Sequence, residues 1–127
     1  MKNNRLLQNK LILTLVFTFY TLISFSQTSQ TFGTATTSGT FTFTVPAGVT
    51  GITAELWGAG GGGSNRPGAA GGGGGGAYTK STLQSVTGGS TFNVTVGAGG
   101  TIGTPTVAPG NFSRMVIGAN TFTANGG

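Results

Sequence analysis

Histidine, cysteine and aspartate are absent from this 127-residue sequence, and Glu55 is its only acidic residue. One chain therefore has no pair of carboxylates for general acid and base catalysis, and no nucleophile paired with a histidine. It also lacks the donors for a zinc site and the carboxylates for a calcium cage. Lys80 could act only alone as an amine nucleophile, with no group nearby to activate it. We expect a protein that is not an enzyme and holds no metal or cofactor.

Charge is nearly as scarce beyond residue 26. The net charge of the whole sequence is +5, but only Glu55, Arg66, Lys80 and Arg114 are charged after that point, which leaves +2 there. Three scattered cations do not form the basic patch that neutralises phosphates, so nucleic acid is excluded as a partner. Without cysteine there are also no disulfides, and the fold has to depend on its core and its backbone hydrogen bonds.

The first 26 residues have the layout of a secretory signal peptide. Basic residues come first, residues 11–25 are apolar and uncharged, and Ser24 and Ser26 are small residues suited to cleavage before Gln27. The alternative is a membrane anchor, but the apolar run is shorter than the ~20 residues of a spanning helix. We expect a secreted or cell-surface protein that meets the membrane only during export.

Residues 27–127 favour β-structure. Residues 27–39 form a polar lead-in with a weak strand near residues 31–36, and residues 40–127 form the main domain. Strict alternation of apolar and polar residues predicts strands at Thr40–Val45 and Thr91–Val96, and turn signals separate the segments. Ile52–Trp57 is a further predicted strand, and Ala77–Val86 is another with weaker alternation. Arg114–Ile117 and Thr121–Thr123 are predicted as two short strands or one bent strand.

These strands predict an all-β fold, a small antiparallel β-sandwich-like domain with glycine-rich loops, preceded by a signal-peptide helix. The short loop after Thr40–Val45 predicts a hairpin between that strand and Ile52–Trp57. Glu55 and Lys80 are expected to pair across neighbouring strands as a solvated surface pair. The expected core consists of Phe41, Phe43, Ile52, Leu56, Phe92, Val94 and Val96.

Twelve of the nineteen residues from Gly58 to Gly76 are glycine. Glycine supplies backbone amides and close approach rather than a reactive side chain. Two interpretations stay open. The runs can form extended threefold helices that hydrogen-bond sideways to one another, or they can form a mobile loop that presents Asn65 and Arg66.

Trp57 and Tyr78 flank the glycine block and also allow two interpretations. In one they are stacking platforms for a sugar, because an aromatic face suits an apolar ring surface and the polar tips suit hydroxyls. In the other they are packed beneath the glycine segment. We favour the second, with Trp57 covered by something other than the Ile52 and Leu56 face.

Four motifs resemble a known family. They are the Pro46-Ala47-Gly48 turn, the strand ending in WGAG, the glycine run ending in AY, and the turn VGAGG. The sequence resembles the glycine-rich domain of secreted proteins from Bacteroidota-type bacteria and of some phage tail proteins. The resemblance implies an extracellular β-rich module without enzyme activity. The ending Asn125-Gly126-Gly127 resembles the start of another glycine run, which predicts a fragment of a longer product.

We therefore expect a non-catalytic secreted or cell-surface module with an adhesive or structural role, whose partner is a surface polysaccharide or another protein. The alternatives are a carbohydrate-binding module that uses Trp57 and Tyr78, and a receptor-binding domain of the phage tail type. The candidate contact residues are Trp57, Tyr78, Asn65 and Arg66.

Overall fold

The computed structural model describes residues 8–14, 27–34, 37–65, 68, 70–103 and 107–127. The chain divides into two compact units, Met1–Gln30 and Thr31–Gly127. In the first unit, residues 8–14 are α-helical. The rest of the predicted signal peptide, including its cleavage site, lies outside the described residues. Among the residues that are described, no helix has the length and apolar character needed to cross a membrane.

The described residues of the second unit form eight short strands, which confirms the predicted all-β class. Their bounds are β1 Gly39–Thr44, β2 Gly51–Ile52, β3 Glu55–Trp57, β4 Tyr78–Lys80, β5 Gln84–Ser85, β6 Thr91–Val96, β7 Ser113–Ile117 and β8 Asn120–Ala124. The alternating pattern located β6 at its observed bounds and β1 to within one residue at each end. The predicted weak strand near residues 31–36 appears only as an isolated bridge between Thr34 and Thr37, and residues 35–36 are not described.

The main sheet has four antiparallel strands in the order β1-β6-β7-β8. β1 pairs with β6 over its whole length, from Gly39 opposite Val96 to Thr44 opposite Thr91. The predicted hairpin between Thr40–Val45 and Ile52–Trp57 is therefore wrong. The loop after β1 does contain a turn at Gly48, with φ +81°. However, β1 pairs with the six-residue strand β6, which is longer than the two-residue strand β2. β7 and β8 do form a hairpin.

Two predicted strands are each divided in two. β2 pairs with β5, and β3 pairs with β4, so that the segments 51–57 and 78–85 run side by side with a break in each. At the break, the amide of Ala54 donates a hydrogen bond to the hydroxyl of Ser81 at 2.8 Å, and the Ser81 amide donates to the Ala54 carbonyl. Ser81 is buried. A side-chain oxygen thus takes the place of a ladder carbonyl and ends the regular strand.

The core lies between the main sheet and the two short ladders. Its buried members are Leu56, Val94, Met115, Ile117 and Ala124. Leu56 and Val94 were predicted there, and Phe43, Ile52, Phe92 and Val96 pack against this cluster while partly exposed. Phe41 is also partly exposed, and its ring contacts Phe32 at 6.0 Å between centroids. The β-sandwich-like packing is confirmed, with β7 and β8 contributing more of the interior than the sequence indicated.

The glycine block forms two extended antiparallel segments. Residues 58, 61 and 64 donate their amides to the carbonyls of residues 77, 74 and 71, at 2.8–2.9 Å. The bonds recur at every third residue, which is the repeat of a threefold extended helix of the polyproline II type. An ordinary β-ladder would repeat every second residue. The interpretation as packed glycine helices is therefore supported over a mobile loop for the described residues of the block.

Other loops complete a bundle around the segment 58–64. The amides of Ala59 and Gly62 donate to the carbonyls of Asn111 and Ala108, again three residues apart. Gly60 accepts from Gly100, and Ala59 accepts from Gly127. The segment 58–64 thus has neighbours in residues 71–77, 97–101, 107–111 and 125–127. Loops that the sequence separates by as many as 68 residues (Ala59 to Gly127) meet here, backbone against backbone. We call this assembly the glycine bundle.

Glycine is required in the bundle for close approach. A Cβ atom built at Gly73 would overlap the carbonyl of Gly61, and one at Gly58 would overlap the carbonyl of Asn125. Neither glycine has a left-handed φ, so the absence of a side chain is what matters here. By contrast, a Cβ atom at Gly72 or Gly75 would meet nothing within 4 Å. These two glycines face outward, in step with the threefold repeat.

Candidate functional site

The ladder between β3 and β4 brings the two candidate aromatic residues together. Trp57 lies directly opposite Tyr78, and their ring centroids are 5.2 Å apart with a 45° angle between the ring planes. The rings are 62% and 52% exposed, respectively. Adjacent aromatic rings at this distance attract each other. Two large aromatic side chains therefore hold each other in place on the surface while most of their area stays in contact with solvent.

The prediction that Trp57 is covered is wrong. Successive side chains of a strand point to opposite faces, and Leu56 occupies the inward position with 6% exposure. Trp57 consequently points outward. The glycine segments that could have covered it pack against one another instead, because each offers its neighbours a surface without side chains. Tyr78 lies outward on β4 for the same reason.

A polar pair borders the aromatic rings. Lys80 Nζ lies 2.7 Å from Glu55 Oε1, which confirms the predicted cross-strand pair. The hydrogen bond from Lys80, followed by its charge, holds the pKa of the Glu55 carboxyl below its usual value. The same interactions raise the pKa of Lys80. Desolvation, followed by the charge of Glu55, raises the pKa of the Tyr78 phenol. We name Trp57, Tyr78, Glu55 and Lys80 the aromatic patch.

The sequence predicted Glu55 and Lys80 only as a solvated surface pair, without a role beside the rings. The sequence spacing indicates that the pair lies beside the rings. Glu55 and Trp57 are two residues apart on one strand, and Tyr78 and Lys80 are two residues apart on the next. Residues at positions i and i+2 of a strand share a face. Once β3 and β4 pair in register, all four side chains have to lie on one surface.

The glycine bundle anchors this patch. The amide of Gly58, directly after Trp57, donates to the carbonyl of Ala77, directly before Tyr78. The Ala77 amide in turn donates to the carbonyl of Asn125 at 2.8 Å. In addition, the Thr79 hydroxyl donates to the carbonyl of Thr123 in the main sheet. The backbone on both sides of the aromatic pair is therefore fixed by long-range hydrogen bonds.

Asn65 is not part of the aromatic patch. Asn65 is exposed and lies at the far end of the segment 58–64 from Trp57. Arg66 lies outside the described residues, so the prediction that it contacts a ligand stays a prediction. Within the residues that the structure does describe, no three histidine, cysteine or acidic side chains form a group that could bind a metal ion.

The aromatic patch combines several chemical groups on one surface. It offers two apolar ring faces, a phenol, an indole N–H, a carboxylate and an ammonium, which together can stack on a ligand and hydrogen-bond to its rim. Glu55 and Lys80 are both exposed and paired with each other, and such a pair is a weak candidate for proton transfer at neutral pH.

Comparison with known proteins adds one finding. Searches of curated proteins and of solved structures return no match to this chain. A family model described as a glycine-rich domain matches residues 35–127, which include every strand and the whole glycine bundle. The chain therefore belongs to the glycine-rich domain family.

Proposed function

We propose that this chain is a non-catalytic binding module of a secreted or cell-surface protein, and that it attaches to its target through the aromatic patch. The observation that carries the proposal is the exposure of Trp57 and Tyr78 side by side on a rigid ladder. Large aromatic residues are enriched at recognition surfaces because they contribute much contact area with few rotatable bonds. Contiguous exposed apolar patches mark interaction sites, whereas apolar side chains that are exposed singly are normal.

The support for a surface role comes from the whole domain. The bundle fixes the patch through backbone hydrogen bonds that contain no titratable group, and the chain has no cysteine, so the platform does not depend on a disulfide or on pH near neutrality. A preorganised patch loses little conformational entropy on binding. The basic, apolar start of the sequence supports export, and an adhesive or structural role at the cell surface is consistent with it.

Carbohydrate recognition is the second candidate, and the composition of the patch favours it. Trp57 and Tyr78 offer ring faces to the C–H-rich side of a sugar, and Glu55 with Lys80 offers an acceptor and a donor to neighbouring hydroxyls. The tilt of 45° between the rings suits two successive sugar units that are twisted relative to each other better than one flat ring. A surface polysaccharide is the ligand class that this arrangement fits.

The test compares the full chain with three variants on a polysaccharide microarray and on plates coated with extracellular proteins. We expect Trp57→Ala and Tyr78→Ala to lose most binding, because each removes one ring of the pair. Leu83→Ala is the matched control, since Leu83 is an exposed apolar side chain outside the patch.

The arms of this experiment separate the candidates. Binding to polysaccharides that depends on Trp57 supports carbohydrate recognition, whereas binding to proteins alone supports attachment to a protein partner. Binding that is unchanged in Trp57→Ala, or reduced equally in Leu83→Ala, would contradict the role of the aromatic patch. Circular dichroism of each variant shows that the fold is retained.

A further inference from the structure

The main sheet carries an open cleft at one end, on strands that have no part in the aromatic patch. The cleft lies where the start of β1, the end of β6 and the residues before β7 meet, and its volume is about 380 Å³. That volume is in the range of sites for small ligands. Its walls include the side chains of Ser38, Thr95, Asn111 and Phe112. We name it the sheet-end cleft.

Two hydrogen bonds hold the wall of the cleft in place. The amide of Gly97 donates to the hydroxyl of Ser113 at 3.0 Å. The amide of Asn111 donates to the carbonyl of Ala98 at 2.9 Å. Ser113 is buried, so the loop after β6 is tied to the interior as well as to the residues before β7. Phe112 lies between the two anchored residues, and its side chain is 45% exposed at the cleft.

Arg114 places a cation beside this wall. Its guanidinium carbon lies 5.5 Å from the centroid of the Phe112 ring. Ser113 faces the interior, so its two exposed neighbours share the outward side of the chain. Arg114 also lies directly opposite Thr95 in the pairing of β6 with β7. The attraction between a guanidinium and an aromatic ring therefore holds the charge next to the cleft.

The charge of Arg114 has no carboxylate side chain to pair with in this protein. Glu55 is the only acidic residue of the sequence, and its carboxylate lies 2.7 Å from Lys80. Among the residues that the structure describes, the Arg114 guanidinium donates no hydrogen bond. Its N–H groups are open to an acceptor from outside the chain. A carboxylate matches this planar fork with two parallel hydrogen bonds.

The other groups of the cleft favour a sugar as the carrier of that carboxylate. Ser38 and Thr95 offer hydroxyl groups and Asn111 offers an amide, and within the described part of the chain these side chains make no hydrogen bonds. Such groups both donate and accept, as sugar hydroxyls do. The Phe112 ring suits the C–H-rich side of a sugar. A carboxylate, hydroxyl groups and an apolar ring side occur together in a uronic acid, whereas an acidic peptide lacks the hydroxyl groups.

We propose that the sheet-end cleft binds a uronic acid unit. Arg114 pairs with the carboxylate, and the Phe112 ring packs against the sugar ring. Ser38, Thr95 and Asn111 hydrogen-bond to the sugar hydroxyls. The proposal does not rest on the aromatic patch, which lies on β3 and β4 and whose two charges neutralise each other. Binding at the cleft should weaken as the salt concentration rises, because its charge pair is formed at an exposed surface.

The test titrates the full chain with galacturonic and glucuronic acid, followed by NMR, and with immobilised polygalacturonate and alginate. Methyl-esterified polygalacturonate is the ligand control, because it keeps the sugar rings and loses the charge. We expect Arg114→Gln to weaken binding roughly tenfold or more, as the loss of hydrogen bonds to a charged group does. Arg114→Lys keeps the charge without the fork and should recover only part of the affinity.

Two further variants separate the ring and the net charge. Phe112→Leu keeps an apolar side chain and removes the ring, so it should also weaken binding. Thr87→Glu is the matched control, since it lowers the net charge by the same amount as Arg114→Gln at an exposed residue outside the cleft. Thr87→Glu should bind like the wild type. Circular dichroism of each variant shows that the fold is retained.

Each result bears on the proposal. Failure of the wild type to bind any of the four uronic acid ligands overturns it, as does equal binding to the esterified polymer. An equal loss in Thr87→Glu would assign the effect to net charge, and equally tight binding to poly-glutamate would exclude a sugar-specific site. Binding to the monomers supports a site for a free sugar acid, whereas binding to the polymers alone supports an internal unit of a polysaccharide. Trp57→Ala should leave uronic acid binding unchanged, so failure here and failure of the aromatic patch are separate outcomes.

Discussion

The cross-strand ion pair of Glu55 and Lys80 lowers the pKa of the carboxyl group and raises the pKa of the amine on an exposed surface. We expect the Glu55 carboxyl to titrate below its ordinary value of 4.5, because Lys80 donates a hydrogen bond to it and adds a favourable charge. In Lys80→Met both interactions are lost, and the pKa of Glu55 should rise toward the ordinary value. Carbon-detected NMR of the single glutamate measures this directly. An unchanged Glu55 titration in Lys80→Met would contradict the pairing in solution.

The sign of the stability effect follows from these directions. The lowered pKa of Glu55 gives a stabilisation that is present above pH 4.5 and is lost as the pH falls through the folded value. The raised pKa of Lys80 gives one that is present below pH 10.5 and is lost as the pH rises through its folded value. The pair therefore contributes across the neutral range. Since both groups are exposed, its effect on the unfolding free energy is small and depends on salt.

Gly73 and Gly72 are adjacent glycines with opposite surroundings. A Cβ atom at position 73 overlaps the Gly61 carbonyl, whereas one at position 72 meets open space. We expect Gly73→Ala to lower the unfolding free energy by about 1–3 kcal/mol, as overpacking does. Gly72→Ala should be neutral or stabilise by about 0.4–1 kcal/mol, because it restricts the unfolded chain. Urea denaturation compares them, and equal effects at the two positions would contradict the threefold packing.

At the scale of single strands, the alternation of apolar and polar residues predicts where strands lie, but it does not predict which strands pair with each other. Thr91–Val96 was predicted from alternation alone, and the structure gives the same bounds. The partner of β1 was wrong, because alternation defines an apolar face without defining which other face it meets. The break in Ile52–Trp57 was also missed. It depends on the hydroxyl of Ser81, which is 27 residues from Ala54 along the chain.

The glycine segment 58–64 makes a prediction for hydrogen exchange at the same scale. Amides 58, 59, 61, 62 and 64 donate to carbonyls of neighbouring segments, whereas those of Gly60 and Gly63 have no partner among the described residues. Exchange should therefore be slow at two positions and fast at the third, repeating along the segment. NMR-detected exchange resolves this pattern. Uniformly fast exchange would instead indicate the mobile loop that the sequence left open.

The aromatic patch depends on elements that the sequence could locate only in part. Trp57 and Tyr78 were named from their places beside the glycine block, but the sequence favoured a covered Trp57. Whether Trp57 is exposed depends on which side of β3 faces the core. The side chain of Leu56 is buried in the core, so Trp57, the next residue, points to solvent. The apolar Ile52 and Leu56 face was recognised correctly. Packed glycine helices were one of the two interpretations of the sequence, but the sequence did not show that this packing would leave the rings uncovered.

At the scale of the whole domain, the glycine bundle and the β-core are a single structure. β6 leads directly into residues 97–101 of the bundle, and β8 leads into residues 125–127. The sequence pattern predicts loops for these runs, because secondary structure is predicted from alternating apolar and polar side chains and glycine has no side chain. Their order comes from lateral backbone bonds between segments far apart in the chain. Such bonds offset the large entropy cost of ordering glycine.

Residues 125–127 allow a test of whether the glycine bundle and the β-core unfold as one structure. Asn125 accepts from the Ala77 amide, and Gly127 donates to Ala59 and accepts from Gly110, all at 2.8–2.9 Å. Deleting residues 125–127 removes three long-range hydrogen bonds, and we expect the unfolding free energy to fall by about 2–4 kcal/mol. Asn125→Ala keeps every one of these backbone bonds and should stay within about 0.5 kcal/mol of the wild type, as exposed substitutions do.

Two probes report on the two halves of the structure in that deletion. Fluorescence of Trp57, the single tryptophan, follows the edge of the bundle, and far-ultraviolet circular dichroism follows the sheets. If bundle and core unfold together, both transitions should move to lower denaturant concentration by the same amount. A shift in tryptophan fluorescence with an unchanged sheet transition would instead make the bundle a separately folding layer. In that case the rigidity of the aromatic patch would no longer follow from the stability of the core.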